Sequence, residues 1–517
     1  MSKPREVGRQ ARTPYNPAMQ RRLAATACAA LSIAVATALR AQDGTANMAR
    51  VLQDIRREGL EHSQVMTAFD QFVTVIGPRL TGSPAHKAAA DWATATLTTW
   101  GLSNAHLEPW EFGRGWVLDH QIVEMVEPRY MPLIGYAEAW SAPTNGELVA
   151  TPVSVAGRTA ADIAAMRTSL AGAIVLTQAA QTAFVREDRP QPSASEAPVR
   201  IGAPPMPRTG ATTLMQALRD AGAGVVLRAS AGEHGTVFVL GSDRGANAQP
   251  GMVLAAEHYN MIARMVEKGL PVKLRVAIQS HYLTADTKSY NVVADLPGTD
   301  TALKNDVVLL GGHLDSWHTG TGASDNADGA AAVMEALRIL KAVGARPRRT
   351  IRAALWSGEE QNLLGSKAYV AQHLAGDANR EAREHLSLYL NIDPGMGPVY
   401  GWYSEESPAA KSLFDAWLAP LKDLDGRRNV IAGITNTDHL SFKAIGIPGF
   451  TPIQDYATYD VRTHHTNVDT YERVREQDLK QNAVSLAWFA YNAAMMNDRF
   501  PREATQAGIT PAGLINR

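Results

Sequence analysis

The sequence contains a single cysteine, Cys28, among its 517 residues. A framework of disulfide bonds is therefore excluded, and so is a metal site built from several cysteine thiolates. The sequence also lacks an excess of either charge, since 50 Lys and Arg residues face 51 Asp and Glu residues and the net charge is −1. We therefore expect no nucleic-acid partner.

A long apolar run is missing as well. The run from Leu23 to Ala38 is short for a membrane span, and Arg40 closes it. It follows two arginines and ends in small residues, which is the layout of a secretory signal peptide. We predict that residues 1–41 are a signal peptide region and that the mature chain is periplasmic or secreted, with no stable membrane insertion after cleavage. A membrane anchor is the alternative interpretation.

The order of strand-like and helix-like segments predicts the fold class. From Val307 onward such segments alternate, which indicates an α/β fold with a mostly parallel mixed sheet and helices on both faces. Residues 131–260 are richer in Gly, Pro, Ala and Val, and they predict a smaller inserted α/β module. The expected divisions are 42–130 for the first part of the main domain, 131–260 for the insert, 261–500 for the rest of the main domain and 501–517 for a C-terminal tail.

One strand end carries the first candidate site residues. The apolar run Val307–Leu310 predicts a buried strand that Gly311-Gly312 ends, and His313 and Asp315 follow. Their i, i+2 spacing places both side chains on one side of an extended segment, so His313 can bind a metal while Asp315 orients it. Asp325 precedes a strong helix-forming segment. Taken singly, Asp325 is also consistent with a helix N-cap, and His313 with an ordinary hydrogen-bonded histidine.

Further acidic and histidine residues follow other predicted elements. They are Glu359-Glu360, Asp393 and His464-His465. Unpaired charges at buried strand ends cost several kcal/mol each unless a cation compensates them. Histidine and carboxylate ligands without cysteine suit zinc, and a bridging carboxylate suits two ions about 3.5–4 Å apart. Of two adjacent glutamates, one can bind metal while the other takes a proton from water.

Together these motifs resemble the co-catalytic zinc peptidases of the aminopeptidase type. The matching motifs are His313-Leu314-Asp315, Asp325-Asn326-Ala327-Asp328-Gly329, Glu359-Glu360, Asn391-Ile392-Asp393, Thr437-Asp438-His439-Leu440-Ser441-Phe442 with Gly446-Ile447-Pro448, and His465-Thr466-Asn467-Val468-Asp469-Thr470. The resemblance spans roughly residues 46–500. The loop Arg79-Leu80-Thr81-Gly82-Ser83 and the pair His464-His465 look most like the carboxypeptidase Q branch. The resemblance implies the zinc exopeptidase fold, with residues 131–260 as an inserted protease-associated domain.

The resemblance also implies a metal site with two zinc ions per chain. Its ligands would be His313, Asp325, Glu360, Asp393 and His465. Asp325 would bridge the ions, with His313 and Asp393 completing one site and Glu360 and His465 the other.

The remaining site residues receive roles by the same resemblance. Glu359 would be the general base, and Asp315 would orient His313. His464 occupies a position where some relatives have tyrosine, which leaves oxyanion stabilisation and a structural role both open. Asp438 and His439 are expected at the pocket rim, with a structural role as the alternative.

The implied reaction is hydrolysis of a peptide bond near a chain end by an aminopeptidase or dipeptidase. A carboxypeptidase that removes C-terminal acidic residues is the alternative, and it would need an arginine facing the substrate carboxylate that the sequence does not reveal. A binding module on an inactive peptidase scaffold is a third interpretation, but all five ligand positions and the base are present. Relatives are often dimers, so a homodimer is an open expectation by analogy.

Overall fold

The computed structural model of the protein describes residues 46–193, 200–204 and 212–502. Two compact units are distinguished, Met1–Asp54 and Ile55–Arg517. The described residues of the first unit, 46–54, are helical, and every described strand lies in the second. The predicted signal peptide region lies outside the described residues, as does the tail from residue 503 onward.

The strands are numbered in chain order. They are β1 (Ser103–Glu111), β2 (Gly115–Glu127), β3 (Met131–Pro132), β4 (Gly135–Ala137), β5 (Leu148–Ala150), β6 (Val153–Ser154), β7 (Ile174–Leu176), β8 (Arg200–Ile201), β9 (Val225–Ala229), β10 (Gly251–Leu254), β11 (Lys273–Leu283), β12 (Lys288–Leu296), β13 (Val307–His313), β14 (Thr350–Trp356), β15 (Leu386–Asn391), β16 (Met396–Trp402), β17 (Gly433–Ile434), β18 (Gly449–Phe450) and β19 (Pro452–Asp455).

The helices are numbered in the same way. They are α1 (46–61), α2 (Val65–Asp70), α3 (Pro84–Thr99), α4 (Ala160–Ala165), α5 (Arg167–Leu170), α6 (Thr212–Asp220), α7 (Ala256–Glu267), α8 (Asp328–Ala342), α9 (Leu364–His373), α10 (Arg380–His385), α11 (Pro408–Leu418), α12 (His439–Lys443) and α13 (Glu476–Met495). Turns of π-helix cover Gln71–Ile76, Ala323–Ala327 and Tyr459–Thr463, and short 3-10 turns cover Gly245–Asn247, Asp377–Asn379, Ala419–Leu424 and Tyr471–Arg473.

A six-stranded sheet forms the centre of the second unit, in the order β1-β12-β14-β13-β15-β18. The four strands from β14 to β18 are parallel, and β12 and β1 continue the sheet in antiparallel fashion. The predicted class, a mostly parallel mixed sheet with helices on both faces, is confirmed. Helices α2, α3, α8 and α13 form one packed group, and α9 packs with α12. Helix α8 is buried along Asp328–Leu340, because its alanines let neighbouring elements approach closely.

The two glycines of β13 do not end the strand, contrary to the sequence-based expectation. Hydrogen-bonded pairing with β14 continues through Gly311 and Gly312 to His313. A Cβ on Gly311 would lie 2.6 Å from the Ala354 carbonyl oxygen, and one on Gly312 would lie 2.7 Å from that of Ile392. The glycines therefore allow neighbouring backbone to approach and deliver His313 to the very end of the strand.

Residues 131–260 supply all five strands of a second sheet and two short strands, β3 and β5, of a third. A five-stranded sheet has the order β4-β10-β9-β7-β6, and a four-stranded antiparallel sheet has the order β3-β2-β11-β5. Because β11 pairs with β2 and β5, the chain returns to the six-stranded sheet only at β12. The identification of this region as a protease-associated domain stays a prediction. Among the described helices, none is both long and apolar enough to cross a membrane.

Candidate metal centre

The candidate ligands converge at the carboxyl edge of the parallel strands. His313 ends β13, Glu359 and Glu360 follow β14, and Asp393 follows β15. Neighbouring parallel strands end at the same edge, so these three chain segments meet there. The loop before α8 adds Asp325, and the turn after Thr463 adds His465.

Asp325 lies between two histidines. Its Oδ1 is 3.2 Å from His313 Nε2, and its Oδ2 is 3.5 Å from His465 Nε2. Each histidine also faces a second carboxylate, since Asp393 Oδ1 is 3.4 Å from His313 Nε2 and Glu360 Oε2 is 2.9 Å from His465 Nε2. Two donors that each lie near 2.1 Å from one tetrahedral ion are themselves about 3.4 Å apart. The five residues thus form two donor sets that share Asp325.

Several of these buried atoms have no hydrogen-bond partner. They are His313 Nε2, Asp325 Oδ2, Glu360 Oε1 and Glu360 Oε2. Buried polar atoms in folded proteins are nearly always satisfied, and leaving a charged one unpaired costs several kcal/mol. Cations between the donors would satisfy all of these atoms, so the residues present fit a metal pair.

The two single-residue alternatives do not hold in the structure. Helix α8 begins at Asp328 with Ala327 as its N-cap, so Asp325 does not cap it. The Nδ1 atom of His313 contacts the Asp315 backbone carbonyl oxygen at 3.0 Å, but its Nε2 atom has no hydrogen bond. The contact through Nδ1 leaves Nε2 available to bind a metal, which is the arrangement typical of metal-binding histidines.

The electrostatics of the edge reflect crowded carboxylates. Burial raises the pKa of Glu359 and Glu360 well above the ordinary value, and Asp393 and Asp325, respectively, raise it further. Burial acts against ionised Asp325 too, but the nearby His313 and His465 lower its pKa overall. Without cations, ionisation of the glutamates at this edge is therefore unfavourable.

Asp315 connects His313 to the two glutamates. Its carboxylate lies 3.7 Å from His313 Nδ1, so the closer contact to the imidazole is made by its backbone carbonyl. The carboxylate accepts a hydrogen bond from Thr81 Oγ1 at 2.8 Å and longer ones from the backbone N–H groups of Glu359 and Glu360. Asp315 thus holds the turn that carries both glutamates as well as the histidine.

Two supporting residues received no role from the sequence. Asp469 accepts hydrogen bonds from the Ser324 backbone and hydroxyl and from the Asp325 N–H, and so fixes the loop of the shared carboxylate. Arg79 is fully buried and donates to backbone carbonyls, among them those of Leu314 and Gly322. Both lie in motifs that the sequence singled out, but only the fold shows which backbone groups they contact.

His464 stands in a chain of side chains beside the ligands. Its ring stacks on Tyr459 with centroids 5.2 Å apart and lies 3.8 Å from the ring of His465. Its Nδ1 is 3.4 Å from Asp460 Oδ1, and Asp460 is held by Arg189 through two side-chain hydrogen bonds of 2.8 and 2.6 Å. Residue 189 lies in the 131–260 region, which therefore reaches the site.

Asp438 and His439 are buried and do not line the cavity, in contrast to the expected place at its rim. His439 Nε2 lies 3.1 Å from Glu405 Oε1, and its Nδ1 lies 3.2 Å from Thr451 Oγ1. Burial raises the pKa of Asp438 to about 7. The difference arises because Asp438, which precedes α12, and His439, which begins it, are both fully buried, and Leu440 contacts the cavity instead.

A cavity of about 370 Å³ opens over the site. Its described lining residues are Arg189, Ala203, Asp325, Glu359, Glu360, Asn362, Leu363, Lys367, Asp393, Pro394, Thr435, Asn436, Leu440, Tyr459, His464 and His465. Four of the five proposed ligands, Asp325, Glu360, Asp393 and His465, therefore border one open space, and His313 lies buried behind them.

Comparison with known proteins identifies the part of the chain that builds this edge. The profile of Peptidase family M28 matches residues 291–489, which include every predicted ligand. Residues 291–489 are a Peptidase family M28 domain. This family is one of hydrolases, and the resemblance to zinc peptidases stated from the motifs is confirmed.

Relatives extend the similarity beyond the M28 domain. Carboxypeptidase Q from Bos taurus is 28% identical over 438 residues, which are 83% of this chain and 85% of that one. A Peptidase M28 precursor from Shewanella amazonensis superposes with a TM-score of 0.65 at 26% identity, over 88% of this chain and 99% of the other. A zinc aminopeptidase from Bacillus subtilis shares the fold with a TM-score of 0.56 at 18% identity, over 86% of this chain and 96% of its own.

Proposed function

We propose that the protein is a zinc-dependent exopeptidase with two zinc ions per chain that acts on peptides as an aminopeptidase or dipeptidase. The observation that carries the proposal is the place of Asp325, whose two oxygens face two histidines that each have a further carboxylate. The M28 domain and the zinc aminopeptidase with the same fold support zinc as the metal. A periplasmic or secreted location belongs to the same proposal.

The donor chemistry also favours zinc. Two imidazoles and three carboxylates, with no thiolate, are ligands that zinc accepts in catalytic sites. His313, Asp325 and Asp393 would hold one ion, and Asp325, Glu360 and His465 the other. When bound, zinc lowers the pKa of water and polarises the scissile carbonyl.

Glu359 is the general base in this proposal. It lines the cavity, and its Oε2 is 3.9 Å from His313 Nε2. This distance is longer than those between the carboxylates of the proposed ligands and the two histidines. Its backbone N–H is held by Asp315. Glu359 takes a proton from the attacking water and delivers it to the leaving amine. With cations bound at the neighbouring donors, Glu359 would stay ionised despite its burial.

A carboxypeptidase is the second candidate, and one observation bears on it. Carboxypeptidase Q is a relative by name, and an arginine lines the cavity. That arginine, Arg189, is committed to Asp460 by a buried bidentate contact. It therefore does not offer its guanidinium to a C-terminal acidic side chain.

The first test compares a dipeptide such as Ala-Leu with N-acetyl-Ala-Leu, using the zinc-loaded protein. Cleavage of the free form alone supports an aminopeptidase or dipeptidase, because the substrate amine must then be recognised. Equal or faster cleavage of the blocked form supports the carboxypeptidase. Treatment with a chelator should abolish the activity and added zinc should restore it. Activity that survives complete metal removal would contradict the proposal.

A further inference from the structure

A buried ion pair joins the 131–260 region to residues 458–467, the histidine turn, which carries the two adjacent histidines. Arg189 and Asp460 are only 4% and 3% exposed. Both Asp460 oxygens accept hydrogen bonds from the Arg189 guanidinium, at 2.8 and 2.6 Å, and the Arg189 backbone N–H adds a third at 2.8 Å. Taking both charges out of water costs free energy, so such a pair is weak evidence for stabilisation and its geometry is the informative feature.

Asp460 passes this constraint on to His464. The oxygen that accepts the 2.6 Å hydrogen bond from Arg189, Oδ1, also lies 3.4 Å from His464 Nδ1. The His464 ring is nearly parallel to the ring of Tyr459, with an interplanar angle of 22°, and the Arg189 guanidinium lies 5.2 Å from the centre of that same ring. The imidazole is thus held by a carboxylate and an aromatic ring that both contact Arg189.

His464 borders the metal donors without belonging to either proposed donor set. One of its ring nitrogens lies within 4.8 Å of an Asp325 oxygen and of a ring nitrogen of His465, and its side chain lines the cavity. His465 faces Glu360 at 2.9 Å, whereas the carboxylate that faces His464 among the described residues is Asp460. The two adjacent rings are therefore oriented by different carboxylates, and that of His464 depends on Arg189.

The backbone of the histidine turn is held by other contacts with the 131–260 region. The Asp188 carboxylate accepts hydrogen bonds from the backbone N–H groups of Thr458 and Val461, at 2.7 and 2.9 Å. Beyond the turn of π-helix, the Val239 N–H donates to the His465 carbonyl oxygen at 3.3 Å. These contacts do not involve the Arg189 side chain, so a change of that side chain should act on His464 and leave the path of the backbone in place.

We propose that Arg189 is a positioning residue of the exopeptidase, which fixes the His464 imidazole beside the metal donors through Asp460. The 131–260 region then contributes to turnover as well as to the cavity wall. This inference rests on the proposed exopeptidase function, and Arg189 acts in it without touching the substrate. A group at the reacting end of the peptide that is displaced by about 1 Å can lose on the order of 100-fold in rate.

The first test measures hydrolysis of Ala-Leu by Arg189→Met. We expect kcat to fall by about 10- to 100-fold while KM changes less than about threefold and zinc content stays unchanged, because the orientation of His464 is lost and the ligands are kept. Arg189→Lys keeps the charge but not the paired hydrogen bonds, so it should restore part of the kcat. An unchanged kcat, or a loss confined to KM, would overturn the proposal.

A second variant covers the case in which Arg189→Met does not fold, since that change leaves Asp460 buried without its partner. The double variant Arg189→Met, Asp460→Asn removes both charges and keeps the shape of the residue beside His464. It should lose at least about fivefold in kcat. Full activity in the double variant would show that His464 needs no help from Arg189.

A double-variant comparison distinguishes positioning of His464 from a general structural role. If Arg189 acts through His464, adding Arg189→Met to His464→Gln should lower kcat by less than about threefold further, whereas independent effects would multiply. Multiplied losses would overturn the proposal. Arg186→Met is the matched control, because Arg186 forms an exposed ion pair with Glu233 in the same segment and is not among the described residues that line the cavity. Its kcat and KM should equal those of the wild type.

Crystal structures of the zinc-loaded wild type and Arg189→Met, or of the double variant, separate this inference from the exopeptidase proposal. A His464 ring turned by more than about 30° in the variant, with His465 and Tyr459 in their original places, supports the positioning role even if no peptide is hydrolysed. A His464 ring in the same orientation in both proteins contradicts the role even if the enzyme is an active exopeptidase.

Discussion

Two buried charged clusters touch the same helix, α8, and they differ in one respect. Before the helix, Asp325 stands among carboxylates and histidines, and atoms of His313, Asp325 and Glu360 there have no hydrogen-bond partner. Two turns into it, Glu335 accepts hydrogen bonds from Ser63, Gln64 and Arg338, and both of its oxygens are used. Arg338 continues to Glu58 at 2.7 Å.

Whether the buried charged groups find partners within the chain distinguishes a cluster that stabilises the fold from one that binds a ligand. The Glu335–Arg338 cluster is complete without any ligand, so it contributes to the folded state itself. The cluster at the sheet edge is incomplete and requires cations from outside the chain. Substitutions in the Glu335–Arg338 cluster should therefore change the stability of the fold. Substitutions at the sheet edge should change metal binding and catalysis.

The largest effect is expected at the base. Glu359→Gln should lower kcat by about 10²- to 10⁴-fold, because proton transfer is lost while the shape of the side chain is kept. Zinc content and Tm should stay unchanged, as measured by elemental analysis and thermal unfolding. Glu381→Gln, at an exposed glutamate of α10, is the matched control and should retain full activity. Loss of zinc from Glu359→Gln would show that Glu359 is a ligand.

At the Glu335–Arg338 cluster we expect a loss of stability without a loss of kcat. Glu335→Leu should lower the free energy of unfolding by about 3–5 kcal/mol, because Arg338 is left buried without its closest partner. The kcat of the protein that remains folded should be unchanged. Chemical denaturation measures the first quantity, and the double variant with Arg338→Leu should recover stability. A stability equal to wild type in Glu335→Leu would remove the contrast between the clusters.

A smaller effect is expected at the residue that holds the bridging loop. Asp469→Asn removes the anionic acceptor for the Ser324 and Asp325 backbone, so Asp325 is less well positioned. We expect zinc affinity or kcat/KM to fall by about 10- to 100-fold. Competition with a zinc-binding dye provides the affinity. An unchanged affinity together with unchanged kcat/KM would show that Asp469 has no positioning role.

The smallest effect has an unusual sign. Removing charge at a ligand, in Glu360→Gln, should stabilise the metal-free protein by about 1 kcal/mol or more at pH 7 while weakening zinc binding. The pKa of Glu360 is raised in the folded state, so wild-type stability is greatest below the unfolded pKa near 4.5 and declines as pH rises through the folded pKa. The advantage of the glutamine variant should therefore grow with pH above about 4.5. A constant difference between pH 5 and pH 8 would contradict this account.

Much of the site could be predicted from local pattern, because parallel strands bring their carboxyl ends to one edge. His313 ends β13, and Glu359, Glu360 and Asp393 follow β14 and β15, so the predicted alternation of strands and helices brings them to one edge. The predicted strand end at the glycines of β13 is wrong, because a glycine that breaks a strand and one that allows close approach of a neighbouring backbone look alike in sequence.

Other features depend on packing between distant segments. The packing around the start of α12 decides that Asp438 and His439 are buried, and no local pattern encodes it. The pairing of Arg189 with Asp460 joins residues 271 positions apart.

In the proposed metal centre, Asp325 is shared by two metal ions at the carboxyl edge of the sheet. Diffraction from crystals of the zinc-loaded protein, recorded at the zinc absorption edge, tests it directly. We predict two anomalous peaks about 3.5–4 Å apart, with one Asp325 oxygen directed at each. A single peak, or two peaks that leave Asp325 without contact to one of them, would contradict the claim.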